Sequence, residues 1–123
     1  MRLPSAFIKL PFRFDADRLA EEASQFSEEE WTYHPLRHNG NTALALVSAN
    51  GEVNDRFEGP MQPTPALDKC PYVRQVMATF DTVVGRSRLM RLATGADVPS
   101  HNDGNYSWRN RVRVHIPIIT HPD

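Results

Sequence analysis

The 123-residue chain has one cysteine, no long hydrophobic run and no excess of charge of either sign. One cysteine cannot form an intramolecular disulfide or a cysteine-only metal cluster, which suits a reducing compartment. We therefore expect Cys70 to be a small buried hydrophobic residue. Prolines and charges interrupt the amino-terminal run MRLPSAFIKLPFRF, which argues against a signal peptide and a membrane span. We expect a cytoplasmic protein with no membrane partner.

The charge of the chain is nearly balanced, with 14 lysines and arginines against 15 aspartates and glutamates. It therefore provides no overall attraction to nucleic acid. Arginines recur between Arg86 and Arg113, but few aromatic residues are interleaved with them, so we expect no nucleic-acid partner. The length is that of one domain, and we expect a single domain over residues 1–123.

Two amphipathic helices are predicted from apolar residues at three- and four-residue intervals. The first begins after the N-cap residue Asp15 and presents one apolar face: Leu19, Ala20, Ala23 and Phe26. The second ends near Gly85 and also presents one apolar face: Tyr72, Val76, Phe80 and Val83. Between them, Ser27 and Glu30 have the capping-box spacing of a short helix.

Alternating residues predict strands. NTALALVSA reads as a strand that ends in an Asn50-Gly51 turn, with a hairpin partner through Val53 and Phe57. The proline-rich stretch EGPMQPTPALDKCP is predicted to be a loop, and the segment before Leu10 a short strand or extended arm.

Two further strands are predicted in the last third of the chain. RSRLMRL alternates, with Met90 and Leu92 expected in the core, and a turn follows at Ala93 to Asp97. The last predicted strand is RVRVHIPII, residues 111–119. Helices early and strands late favour an α+β fold, with a β-rich core packed on two helices.

His101 and Asp103 form the first part of a candidate site. In an extended segment their side chains point the same way, with Cα atoms about 7 Å apart. An imidazole and a carboxylate are two of the three ligands in the 2-His-1-carboxylate triad that binds iron. The His-x-Asp pattern alone is a weak motif, and its context has to support it.

The predicted strand after this pair places Arg111, Arg113 and His115 on one face and aliphatic residues on the other. An outer strand with its charged face in water would alternate in the same way, and this alternative stays open. The array contains no acidic residue, however, and arginine offers a planar fork to carboxylates. The strand is therefore typical of a pocket that holds a dianionic acid beside a metal.

The segments RLMRLATGADVPSHND and RVRVHIPIITHPD together resemble the aspartyl/asparaginyl β-hydroxylase family of Fe(II)- and 2-oxoglutarate-dependent dioxygenases, especially its small bacterial members. The resemblance is strongest from Arg86 to Asp123, and PYVRQVMATFDTVVGRSRLMRL is similar to the helix and strand that precede the site in that family. It implies a double-stranded β-helix, a cupin-like jelly roll whose interior face forms the site, with the N-terminal helices packed on it.

The resemblance also implies roles for the matching residues. His101 and Asp103 would be iron ligands, and His115 would contact the co-substrate 2-oxoglutarate. Arg111 and Arg113 would bind the carboxylate of an anionic small-molecule or peptide substrate. The implied reaction is hydroxylation of an aspartyl or asparaginyl residue, or of a small amino or carboxylic acid, with Fe(II) as the cofactor.

The sequence departs from the family in one respect. The family takes its second iron histidine, and an arginine that binds the far carboxylate of 2-oxoglutarate, from strands downstream of HIPI. Neither is present before Asp123, so we expect the chain to be the N-terminal part of such a domain, with an incomplete barrel. Either more chain or a partner, such as a second copy in a homo-oligomer, would cover the exposed sheet.

Several alternatives stay open. His115 as an iron ligand is less favoured because it lies on the anion-binding strand, and the other histidines are predicted at the surface: His34, His38 and His121. Tyr106 and Trp108 could cover the substrate or simply pack, and Asn102 and Asn105 are predicted in a turn. The alternative function is a non-catalytic jelly-roll module that binds a metal or a small anion.

Overall fold

The computed structural model describes residues 4–33, 40–54, 56–97 and 111–120. In chain order its elements are helix α1 (Ala16–Ser24), a 3-10 helix (Glu28–Glu30), strands β1 (Thr32–Tyr33), β2 (Asn41–Ala49) and β3 (Met61–Pro63), helices α2 (Pro65–Asp68) and α3 (Pro71–Ala78), and strand β4 (Ser87–Leu92). The structure is a mixed one of helices and an antiparallel sheet, as the predicted α+β class requires. In this part of the chain, no helix combines the length and the apolar character needed to cross a membrane.

Strand β2 is the centre of the sheet and pairs antiparallel with every other strand. Strand β4 pairs with it from Asn41 to Val47. Strand β1 pairs near the start of β2, and β3 pairs with its last three residues. Because a strand has only two hydrogen-bonding edges and β4 takes one, β1 and β3 must share the other edge, one after the other.

The two faces of β2 carry side chains of different size. Leu44 and Leu46 belong to the buried cluster, which is otherwise formed mainly from the helices and their flanking segments: Leu19, Phe26, Trp31, Val47, Leu67, Cys70, Val73, Val76 and Leu89. Ala43 and Ala45 point to the opposite side, because alternate residues of a strand face opposite ways. We call that side, with Arg88, Met90 and Leu92 of β4, the alanine face.

Glu22 joins the two longer helices by capping the amino end of α3. Its carboxylate oxygens accept hydrogen bonds from the backbone N–H groups of Tyr72 and Val73, each at 2.8 Å. The Tyr72 hydroxyl in turn accepts from the backbone N–H of Asp15 at 2.7 Å, and the Arg18 guanidinium lies 4.1 Å from the Tyr72 ring centroid. The first N–H groups of a helix have no partner within the helix, so a carboxylate from α1 stabilises both the helix end and the packing.

The predicted beginnings of the helical segments are confirmed. The Asp15 side chain accepts from two backbone N–H groups in the first turn of α1. The Glu30 carboxylate accepts from the Ser27 backbone N–H at 2.8 Å, which is half of the predicted capping box. Leu19 and Phe26 are buried as expected, and Cys70 is fully buried.

The second helix ends earlier than predicted. It stops at Ala78 rather than near Gly85, and Val83 is 93% exposed. The reason lies in the extended arm at the amino terminus, because Phe80 packs edge-on against Phe12, with ring centroids 5.4 Å apart. Phe14 also contacts this pair. Three aromatic rings from two segments thus replace the last turns of the helix.

The predicted hairpin partner of β2 is wrong. The Asn50-Gly51 turn is confirmed, with positive φ at both residues, but Val53 is 76% exposed and the partner is β3, further along the chain. Strand β3 and helix α2 lie inside the proline-rich stretch predicted as a loop. Proline is tolerated on an edge strand and in the first turn of a helix, where its missing N–H is not needed.

Strand β4 and the turn after it are confirmed, but Met90 and Leu92 are not core residues. They are 49% and 51% exposed, whereas Leu89 is buried. Met90 lies directly opposite Ala43 and Leu92 opposite Asn41, so both lie on the alanine face, away from the helical cluster. Alternation identifies the two faces of a strand but not which face the helices cover.

The strand predicted at residues 111–119 is wrong, because none of the described strands pairs with this segment. Ile116 and Ile118 still pack against the buried cluster, whereas Val112 and Val114 are exposed. The alternation indicates which side chains turn inward. A strand also needs a hydrogen-bonding partner, which alternation cannot supply.

The substitution Glu22→Gln should lower the free energy of unfolding by about 1–2 kcal/mol, because an amide is a weaker acceptor than a carboxylate and supplies one oxygen instead of two. Chemical denaturation followed by circular dichroism measures the change. Glu21→Gln, at an exposed position on the same helix, is the matched control and should stay within about 0.5 kcal/mol of the parent. Equal losses in the two variants would contradict the capping role of Glu22.

Cys70 should resist thiol reagents until the protein unfolds. Burial, with a contribution from the Glu22 carboxylate, raises the pKa of the Cys70 thiol to about 11, and the thiolate is the reactive form. Labelling at pH 8 should therefore follow the unfolding curve in denaturant. The ordinary thiol pKa is 9.0, so the free energy of unfolding should also fall as the pH rises from about 9 toward 11, because the unfolded chain loses its proton first. Rapid labelling in native buffer would show that the thiol is accessible.

Candidate functional site

A cleft of about 140 Å³ lies on the alanine face beside the start of β4. Its lining combines two arginines with small and polar side chains: Arg86, Arg88, Ala43, Ala45, Val47, Val53, Thr32, Ser48, Asn54 and Ser87. The space exists because β2 carries alanine at two successive positions of this face, where larger side chains would fill it. The sheet register places Arg88 directly opposite Ala45, so the two side chains share the face.

The polar side chains of the cleft already hydrogen bond to the backbone. Each donates to a carbonyl oxygen: Thr32 to Ala43, Ser48 to Glu52, Asn54 to Ala49 and Ser87 to Gly85. The Arg86 guanidinium lies 4.9 Å from the ring centroid of Phe57, which helps to position it. A guanidinium carries five N–H donors and a permanent charge, so Arg86 and Arg88 are the strongest side-chain donors lining the cleft. Such a site favours a small anion.

Arg91 lies on the opposite face of β4 and has a structural role. Its guanidinium donates to both carboxylate oxygens of Glu28 at 2.8 Å and to the Thr42 hydroxyl at 3.2 Å. It also lies 4.5 Å from the ring centroid of Trp31. The hydrogen bonds and positive charge of Arg91 lower the pKa of the Glu28 carboxyl from its ordinary value of 4.5. Arg91 thus holds β4 to the 3-10 helix.

The residues predicted to bind anions are exposed. Arg111, Arg113 and His115 face solvent, on a segment whose Ile116 and Ile118 pack against the buried cluster. These three side chains are therefore held at the surface by an anchored segment. Both the anion-binding interpretation and the solvated-face interpretation require such exposure.

The predicted iron ligands His101 and Asp103 lie outside the described residues. The same is true of other residues considered for the site: His34, His38, Asn102, Asn105, Tyr106, Trp108 and His121. Within residues 4–33, 40–54, 56–97 and 111–120, no group of three or more His, Cys, Asp and Glu side chains could hold a metal ion. A metal site in this chain would therefore need the His101-x-Asp103 pair.

Comparison with known proteins gave no match to any family model, curated protein or solved structure. The chemistry of the site therefore has to be inferred from its own residues and geometry.

Sequence reasoning missed Arg86 and Arg88 as candidate ligand-binding residues. The signal that could have identified them is the arginine alternation in RSR, at the start of β4. Its meaning depends on which face of β4 the helices cover, and on the two alanines of β2 that leave space opposite. Neither feature can be read from β4 alone.

The Glu28 carboxyl should titrate below pH 4.5 in a ¹³C NMR titration, because the Arg91 guanidinium stabilises its charged form. Arg91→Gln should return the midpoint toward 4.5. Because the folded pKa is lowered, the stabilisation is present above about pH 4.5 and is lost as the pH falls through the folded value. Arg74→Gln removes a cation that pairs with Asp68 elsewhere on the surface and should leave the Glu28 midpoint unchanged. An unchanged midpoint in Arg91→Gln would contradict the assignment.

Proposed function

We propose that the protein is an Fe(II)- and 2-oxoglutarate-dependent dioxygenase that hydroxylates an aspartyl or asparaginyl residue, or a small amino or carboxylic acid. The observation that carries this proposal is the order of groups after β4. His101-x-Asp103 follows the strand and its turn, and Arg111, Arg113 and His115 follow on one surface segment. This is the order in the aspartyl/asparaginyl β-hydroxylase family that the sequence resembles.

We also propose that the sheet is part of a double-stranded β-helix. The alanine face supports this, because Met90 and Leu92 leave about half of their apolar side chains in solvent on a face that carries the arginine cleft. In a jelly roll a second sheet packs over such a face, and polar groups between the sheets form the site.

The donor chemistry of His101 and Asp103 fits Fe(II), which accepts imidazole nitrogen and carboxylate oxygen in the 2-His-1-carboxylate triad. The chemistry that such a centre supplies when bound is oxygen activation coupled to decarboxylation of 2-oxoglutarate, which allows hydroxylation of an unactivated carbon. The third ligand of the triad is not assigned to a residue of this sequence.

Arg111, Arg113 and His115 would bind and orient the two anions. Guanidinium groups form paired hydrogen bonds to carboxylates, and this sets both the position and the plane of the bound acid. Ile116 and Ile118 anchor the same segment in the core, so the spacing of the cationic groups is held by packing. The protein contributes binding and orientation, and His115 would contact 2-oxoglutarate.

The proposal is tested by mixing the full-length protein with Fe(II) and 2-oxoglutarate without oxygen. A weak visible charge-transfer band should appear, and His101→Ala should abolish it because the metal loses an imidazole ligand. His38→Ala removes a histidine predicted at the surface, and this control should keep the band.

A missing band in the parent protein, or a band that survives in His101→Ala, would refute the iron assignment. Succinate release in air, screened against amino acids and peptides, then tests turnover. A band without succinate from any acid would favour the non-catalytic module over the enzyme.

A further inference from the structure

We propose that the cleft at Arg86 and Arg88 is a binding site for the carboxylate of a small organic or amino acid. This site is separate from Arg111, Arg113 and His115 in the sequence and lies at the start of β4, before the His101 segment. The cleft supports the proposal by its size, by its charge and by the way in which its arginines are positioned.

The size of the cleft restricts the ligand. A protein cavity of about 150 Å³ accommodates a molecule of benzene size, with roughly six non-hydrogen atoms. The cleft, at about 140 Å³, therefore matches a short carboxylic acid or the carboxylate end of an amino acid. A nucleotide or a folded peptide turn would be too large to enter it.

The charge and lining of the cleft determine the chemistry of the ligand. Arg86 and Arg88 bring two cations to one wall, and Ala43, Ala45 and Val47 supply apolar contact. A carboxylate with a short aliphatic body complements both parts, because the oxygens pair with guanidinium N–H groups and the carbons cover the alanines. Each guanidinium has enough donors to keep its present contacts while binding a carboxylate.

The positions of the two arginines suit this role. Arg88 is fixed by the β4 register, opposite Ala45, and the Arg86 guanidinium lies against the Phe57 ring. Preorganised donors lose less conformational entropy on binding than mobile ones do. The step from bound acid to substrate rests on the proposed function, because a small free acid rather than a peptide residue would then be hydroxylated.

Butyrate, with six non-hydrogen atoms, is the probe, and NMR shifts of the Ala43 and Ala45 amides measure its binding without metal. Binding should saturate with a Kd on the order of 1 mM, typical of so small a ligand. Butyramide has the same shape without the charge and should bind at least about tenfold more weakly. Equal binding of the two, or stronger binding of inorganic phosphate than of butyrate, would overturn the carboxylate assignment.

Two variants locate the site. Arg88→Gln should weaken butyrate binding about tenfold or more, and Arg74→Gln, which removes the same charge from an exposed ion pair, should not. Ala45→Leu keeps both arginines but fills the cleft, and should abolish binding. Unchanged affinity in either cleft variant would overturn the proposal, and circular dichroism establishes that each variant is folded.

The test also separates the cleft from the dioxygenase proposal. His101→Ala should bind butyrate with the parent affinity, because no metal is involved. Butyrate binding without a charge-transfer band would refute the iron assignment alone. A band without butyrate binding would refute the cleft alone.

Discussion

The antiparallel pairing along β2 is the constraint on which the rest of the structure depends. This strand is the only described element that contacts every other strand, and almost all of its residues are buried. Its leucines pack against the helices, while its alanines face the other side. The strict alternation of a strand therefore separates the molecule into a hydrophobic core and a face with room for a ligand.

The arginines of β4 follow from this separation. Arg88 and Arg91 are three residues apart, so they point to opposite faces and acquire different roles. Arg91 meets Glu28, Thr42 and Trp31, and its charge is used to hold β4 in place. Arg88 meets the alanines of β2 and lines the cleft. The same side chain is thus structural on one face and available for recognition on the other.

The cleft and the proposed dioxygenase site share one logic, which is the binding of small carboxylates by arginines held on ordered backbone. Arg88 is held by the sheet register, and Arg111 and Arg113 are held by a segment whose isoleucines reach the core. In both places apolar packing positions the cation, so that little order has to be gained on binding. An acid-hydroxylating enzyme needs this arrangement for its substrate and its co-substrate.

Local patterns in the sequence determined the elements whose signals are themselves local. The Asp15 cap, the Ser27 and Glu30 pair, the Asn50-Gly51 turn and the β4 strand all depend on neighbouring residues, and all are found in the structure. Contacts distant in sequence decided the rest. The partner of β2, the early end of α3, the exposure of Met90 and the unpaired segment at 111–119 depend on which surfaces meet. The arginine cleft is of the same kind, because it needs Arg88 and Ala45 side by side, and only the pairing of two strands distant in the chain brings them together.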